Sequence, residues 1–144
     1  MVRSEIDRAN LGFRLAKASQ RWNELLAEDF RARGYPEVRP SYGSVLVPLF
    51  EEDGLRMGEL ARRSRLAKQT MTTMARLAER DGLVERRADP DDARATRVFL
   101  TRRGRSLKPH AAQVVAQLEG RVEDRLGPRV TAALRRALAE LADL

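Results

Sequence analysis

The stretch that decides the fold is KQTMTTMARLAERDGLVERRADPDDARATRVFLT, residues 68–101. Residues 68–80 carry a helical pattern. Met71, Met74, Leu77 and Ala78 share one face, and Lys68, Gln69, Thr72, Thr73 and Arg76 share the opposite one. Gly82 then supplies a left-handed stop. From Leu83 to Arg87 and from Ala95 to Leu100 the pattern is extended: Val98 and Leu100 alternate with Arg97 and Phe99. Asp89-Pro90-Asp91-Asp92 between them is turn chemistry. Immediately upstream, Met57, Leu60 and Ala61 begin a shorter helix that turns at Ser64-Arg65-Leu66. Two short helices meeting at a tight corner, followed by a hairpin, predict a winged helix-turn-helix.

Working outward, residues 4–32 read as one long helix. Leu11, Leu15, Ala18, Trp22 and Leu25 form one stripe, and Ile6, Ala9, Phe13 and Ala16 a second beside it. A terminal helix with two apolar stripes is buried on two sides, which predicts sharing with a second chain. Phe13 and Trp22 read as core. GYPEVRP, residues 34–40, breaks the chain, and Ser41 is placed to cap the next helix, whose inner face is Tyr42, Val45, Leu46, Leu49 and Phe50. Glu51-Glu52-Asp53 reads as a solvated helix end. Thr101 caps a helix running to about residue 125, striped by Leu107, Ala111, Val114, Val115, Leu118 and Val122. After Gly127-Pro128 a last helix follows, with Val130, Leu134, Ala137, Leu138 and Leu141 along one side. The fold class is mainly α.

Composition narrows the chemistry. With no cysteine, disulfides, thiolate metal sites and thiol redox sensing are excluded. The single histidine, His110, has no carboxylate cluster beside it in the sequence, so no metal site and no cofactor are expected. No apolar run approaches the roughly 20 residues of a membrane span, and residues 1–13 lack a signal-peptide core, which predicts a cytoplasmic protein. Charge is unevenly placed. Residues 56–105 hold 14 of the 28 Lys and Arg but only 7 of the 21 Asp and Glu, so that segment carries the entire net +7. A contiguous basic segment points to a polyanion partner.

The polar face of residues 68–80 suits the major groove of double-stranded DNA. Gln69 can bridge adenine, Lys68 or Arg76 can reach guanine, and Thr72 or Thr73 can donate to a base or touch the thymine methyl. Threonine is a mediocre helix former, so Thr70, Thr72 and Thr73 in a merely solvated helix would be out of place. Arg62, Arg63, Lys68, Arg86 and Arg97 are positioned for phosphates. Arg94, near the wing tip, can enter the minor groove, and Asp92 two residues earlier can grip its guanidinium in the inserting pose. The serines have no paired base and no two-carboxylate pair emerges, so an enzyme is not expected.

The segment DDARATRVFLTRRGR resembles the wing of MarR-type regulators, in which an Asp-x-Arg pair precedes a strand, Leu-Thr, two residues and Gly; here these are Asp92, Arg94, Leu100, Thr101 and Gly104. Upstream, GELARRSRLAKQTMTTMARLAERDGLVERR is similar to that family's helix-turn-helix. The resemblance implies a homodimer whose first and last helices intertwine, with residues 1–40 and 105–144 as the dimerisation region and 41–104 as the DNA-binding lobe. It further implies binding to a palindromic operator, repression of nearby genes, and release by a small aromatic or carboxylate ligand. Arg94 would be the minor-groove arginine and Asp92 its holder. Arg14, Trp22, Tyr42 and His110 are candidates for the ligand crevice by helix position. The alternative is a winged-helix module that docks proteins or binds anionic surfaces without reading sequence.

Overall fold

The computed structural model describes residues 6–144. Helix α1 spans Leu11–Ala32. A 3-10 turn at Pro40–Tyr42 leads into α2, Gly43–Glu51. Strand β1 is Leu55–Arg56, and α3 (Met57–Arg63) and α4 (Lys68–Arg80) follow. Strands β2 (Val84–Asp89) and β3 (Asp92–Leu100) form the wing. Helices α5 (Arg102–Leu126) and α6 (Pro128–Leu141) close the chain. The architecture is the mainly helical, winged helix-turn-helix arrangement the sequence predicts.

The core is built where α2, α3, α4, the sheet and the start of α5 converge. Tyr42, Leu49, Leu60, Met71, Leu83, Val98 and Leu107 are all essentially inaccessible. Burial of a side chain of this size contributes roughly 1.5–3 kcal/mol. On α4 the inner row is Met71, Ala75 and Ala78, with Met74 and Leu77 half-buried at its margin. The corner between α3 and α4 turns through Arg65 at φ 52, a left-handed conformation few L-residues adopt.

Several boundaries differ from expectation. α1 begins at Leu11, not residue 4, because the Asn10 side chain accepts the Phe13 amide at 2.8 Å and caps it there; Ile6 and Ala9 precede the helix, and the remainder of the anticipated first turn lies outside the described residues. Ser41 caps nothing. Pro40, with its φ preset, starts a 3-10 turn one residue earlier, and Tyr42 becomes the α2 cap position. Asp53 is not merely solvated: its carboxylate accepts the Leu100 amide at 2.8 Å and ties the end of α2 to the wing. The wing strands run longer than expected and meet at a two-residue turn, Pro90-Asp91, with Asp89 opposite Asp92. β1, only two residues long, gives no periodic signal in the sequence, yet it makes the sheet three-stranded in the order β1-β3-β2.

The N-terminal half of α1 is not buried within the chain on either stripe. Phe13 and Leu15 are about two-fifths exposed and Leu11 more so, and on α6 Val130, Leu134, Leu138 and Leu141 all face outward.

Candidate nucleic-acid interface

α4 holds its polar face to solvent because Met71, Ala75 and Ala78 anchor the other side. Lys68, Gln69, Thr70, Thr73 and Arg76 are exposed and Thr72 is half-buried. Among the described residues, Lys68 and Gln69 have no side-chain hydrogen bond or ion pair, and Arg76 has only its field on Glu79. The threonine hydroxyls are committed differently from expectation. Thr72 Oγ1 donates to the Lys68 carbonyl at 2.9 Å and Thr73 Oγ1 to the Gln69 carbonyl at 3.1 Å. Both donors are therefore turned back onto the helix, leaving methyl groups and acceptor lone pairs to face outward.

The wing tip is open. The Arg94 side chain is 95% exposed. Asp92 Oδ1 accepts the Arg94 backbone amide at 3.0 Å and lies 3.7 Å from its Nε. Asp92 thus shapes the backbone of the tip first and steadies the guanidinium at longer range.

The expected phosphate contacts divide. Lys68 is free. Arg62 and Arg63 share Glu59, at 2.9 Å from each Nε, and Arg63 also reaches Glu52. Those two guanidiniums pull the Glu59 carboxyl down to about 2. Arg86 donates its backbone amide (2.8 Å) and its Nε (3.0 Å) to Glu79, which lowers the Glu79 pKa against the opposing cost of burial. Arg97 is held from two segments: its Nε donates to Asp89 at 3.0 Å and its Nη1 to the Gly54 carbonyl at 3.0 Å.

Asp89 is the residue sequence reading missed. In the sequence it is one of three turn aspartates; in the fold its side chain is fully enclosed. It accepts Arg56 Nε at 2.6 Å, Arg97 Nε at 3.0 Å and the Asp91 amide at 2.9 Å. The Asp91 amide and the guanidiniums hold its carboxyl below the ordinary aspartate range although burial pushes the other way. Its early sign in the sequence was Asp before Pro at a strand end; Arg56 on β1 and Arg97 on β3 come to it only through the fold.

This geometry has relatives. The MarR family model matches residues 40–96. The HTH-type transcriptional repressor Rv2887 of Mycobacterium tuberculosis (strain ATCC 25618 / H37Rv) is 36% identical over 117 residues, covering 72% of this chain and 84% of that protein. The chain belongs to the MarR family. Its members are transcriptional regulators rather than enzymes, and this chain is a DNA-binding regulator of that kind. The regulator TtmR of Methylorubrum extorquens (strain PA1) is 41% identical over 64 residues, a match spanning 33% of its length. Among solved structures, the repressor CouR bound to a 23-mer DNA duplex superimposes with TM-score 0.78 at 28% identity, covering 96% of this chain and 99% of that one. PcaV from Streptomyces coelicolor, in complex with its natural ligand, shares the fold at TM-score 0.80 and 20% identity, covering 98% of each chain.

In this MarR-family chain the four crevice candidates do not converge. Arg14 lies on the exposed side of α1 and donates to the Ala9 carbonyl at 3.2 Å. Tyr42 is in the core, its hydroxyl donating to Asp81 at the C-terminal end of α4, and burial followed by that bond raises its pKa. His110 packs on the Tyr35 ring, centroids 5.2 Å apart, with a buried Nδ1 that has no hydrogen-bond partner among the described residues. Of the four, Trp22 alone lines a cavity among the described residues. It lines an apolar cavity of about 370 Å³ between α1, α2 and α5, beside Leu26, Phe30, Phe50 and Leu107, with Arg39 the one charged lining residue. Arg39 Nε lies 3.8 Å from the same Asp81. Among the described residues no cluster could hold a metal ion, and no helix is long and apolar enough to cross a membrane.

Proposed function

We propose that the protein is a cytoplasmic, homodimeric repressor that binds a palindromic operator and is released from it by a small apolar anion. The observation that carries this reading is the exposed face of Lys68, Gln69, Thr73 and Arg76 beside a wing tip whose Arg94 is almost wholly exposed. α4 enters the major groove, where Gln69, Lys68 and Arg76 read base edges and the Thr70, Thr72 and Thr73 methyls meet thymine. Arg94, with its backbone shaped by Asp92, enters the adjacent minor groove. Lys68, Arg62, Arg63 and Arg86 supply phosphate contacts, the last three with their carboxylate partners fixing their orientation. Arg97 leaves the contact set because its bonds to Asp89 and to the Gly54 carbonyl hold its guanidinium against the sheet.

The outward leucines of α6 and the exposed apolar residues of α1 support a dimer formed by residues 1–40 and 105–144, with 41–104 as the reading lobe. Two recognition helices related by a two-fold axis address half-sites about 10 base pairs apart. The apolar cavity next to Trp22 and Arg39 suits the ligand, an aromatic ring with one negative charge filling such a space and pairing with Arg39. CouR is solved on DNA and PcaV with its natural ligand, and both precedents support the two halves of this reading.

Selection of bound sequences from a random duplex pool tests it. Enrichment of an inverted repeat with half-sites one helical turn apart is expected. A pool that stays random, or equal binding to anionic vesicles, would refute sequence-specific recognition.

A further inference from the structure

The face of the sheet that carries Asp89 holds an unusual row. Arg97 on β3 lies directly opposite Arg56 on β1 and directly opposite Arg87 on β2. Residues paired in this way point to the same side, so three guanidinium side chains stand abreast across the three strands. Like charges directly opposite one another destabilise a sheet, and the arrangement persists only because each cation is occupied. Arg87 lies over the Phe99 ring at 4.4 Å and pairs with Glu85. Arg56 and Arg97 both bond the one enclosed carboxylate of Asp89. The Arg56 side chain is nevertheless 48% exposed and that of Arg97 32%, so both reach solvent. The turn that Asp89 opens leads within five residues to Arg94 at the wing tip.

Two cations beside a minor-groove finger would add affinity for any duplex, because phosphate contacts carry no sequence information. We propose that Asp89 is a specificity-determining residue: it keeps Arg56 and Arg97 in the sheet and away from phosphates, so that the wing meets DNA through Arg94. This rests on the operator-binding reading above and adds to it a residue that raises discrimination by withholding charge. Asp89 touches no DNA; it acts through the two arginines it holds.

The test compares wild type with Asp89→Asn, a near-isosteric change that removes the charge. Binding is measured across a range of salt concentrations to the inverted repeat that the wild type selects and to a scrambled duplex of equal length. Freed guanidiniums would steepen the dependence of log K on log salt by about 0.9 for each new phosphate contact. Asp89→Asn is expected to bind the scrambled duplex more tightly, with a slope steeper by about 1–2 on that scale, and to lose part of the preference for the repeat. Adding Arg97→Gln to Asp89→Asn should return the slope toward wild type. A simple loss of packing would lower the melting temperature and weaken binding to both duplexes without steepening either slope. An unchanged slope and preference in a folded Asp89→Asn protein overturns the proposal while leaving operator binding intact. A wild type that selects no sequence defeats the operator reading and this proposal with it. Should Asp89→Asn not fold, the wild type itself decides by NMR of the arginine Nε–H groups. Those of Arg56 and Arg97 stay in place when scrambled duplex is added; movement onto phosphate would refute the withholding.

Discussion

Gly104→Ala is the substitution whose outcome the geometry fixes most sharply. The first turn of α5 leans on the chain just ahead of β2. The Thr101 amide donates to the Leu83 carbonyl at 3.0 Å, and Thr101 Oγ1 donates to the Gly82 carbonyl at 2.6 Å while accepting the Gly104 amide at 3.1 Å. A Cβ on Gly104 would stand 2.1 Å from the Leu83 carbonyl oxygen and 3.3 Å from Leu100 Cδ2. The first obstacle is backbone, so α5 must retreat by more than an ångström and give up the two bonds to residues 82 and 83. Two hydrogen bonds at about 0.5–1.5 kcal/mol each, with about 1–3 kcal/mol for the forced shift, give a destabilisation of roughly 2–6 kcal/mol. Against a typical total of about 5–15 kcal/mol this is severe. At about 2–4 °C per kcal/mol for a chain of this size, the midpoint falls by roughly 5–20 °C. Thermal melts followed by far-UV circular dichroism at fixed protein concentration measure it. The sign is diagnostic, because alanine for glycine in an uncrowded helix stabilises by about 0.5–1 kcal/mol. Gly58 in α3, whose Cβ would meet nothing within 4 Å, serves as the control that should rise slightly. A Gly104→Ala melt at or above the wild-type midpoint would refute the close approach of α5 to residue 83.

Other outcomes follow from the same geometry. Arg94→Ala should weaken operator binding by about 1–3 kcal/mol in a fluorescence titration with little change in melting temperature, since the side chain is 95% exposed; unchanged affinity would remove the wing tip from the interface. Asp92→Ala should also weaken binding although it raises the net charge, because the Arg94 amide loses its acceptor; tighter binding would mean the carboxylate only repels DNA. Leu134→Glu and Leu138→Glu together should shift sedimentation from dimer to monomer, and a retained dimer would move the interface away from α6. Acid should destabilise the protein in a defined window. The folded pKa of Glu59 is depressed to about 2 from an ordinary 4.5, so its contribution is complete above about pH 4.5 and is lost as pH falls toward 2. Glu59→Gln should flatten that part of the melting-temperature profile, and an unaltered slope would show that the Arg62 and Arg63 bonds do not survive in solution.

Much of this was legible in the sequence because local signals agreed with one another. Met71 with Ala78, Gly82 and the alternation around Val98 fix the helix, its stop and the strand without reference to distant parts of the chain. The bounds of α4 come out as expected for that reason. What failed to show depended on contacts between distant residues. Asp89 reads as a turn residue until β1 brings Arg56 across 33 positions of sequence to meet it. β1 has no periodicity to detect. Arg97 looks like a surface cation until its partners on two other segments are known. The crevice was equally hidden: helix position alone nominated Tyr42, but only three-dimensional packing shows its ring to be core and its hydroxyl engaged with Asp81. Ser41 failed on a local competition, the preset φ of Pro40 winning over a good capping side chain.

If the outward row of Val130, Leu134, Leu138 and Leu141 seals the proposed dimer on an operator of two half-sites, it carries a genetic consequence. A chain with a ruined wing but an intact α6 would still recruit normal chains. Random pairing would then spoil most of the assemblies in a cell that makes both kinds, since an operator of two half-sites needs both arms. Such an allele would behave as dominant, whereas a lesion in the α6 row would be recessive because its product could no longer find a mate.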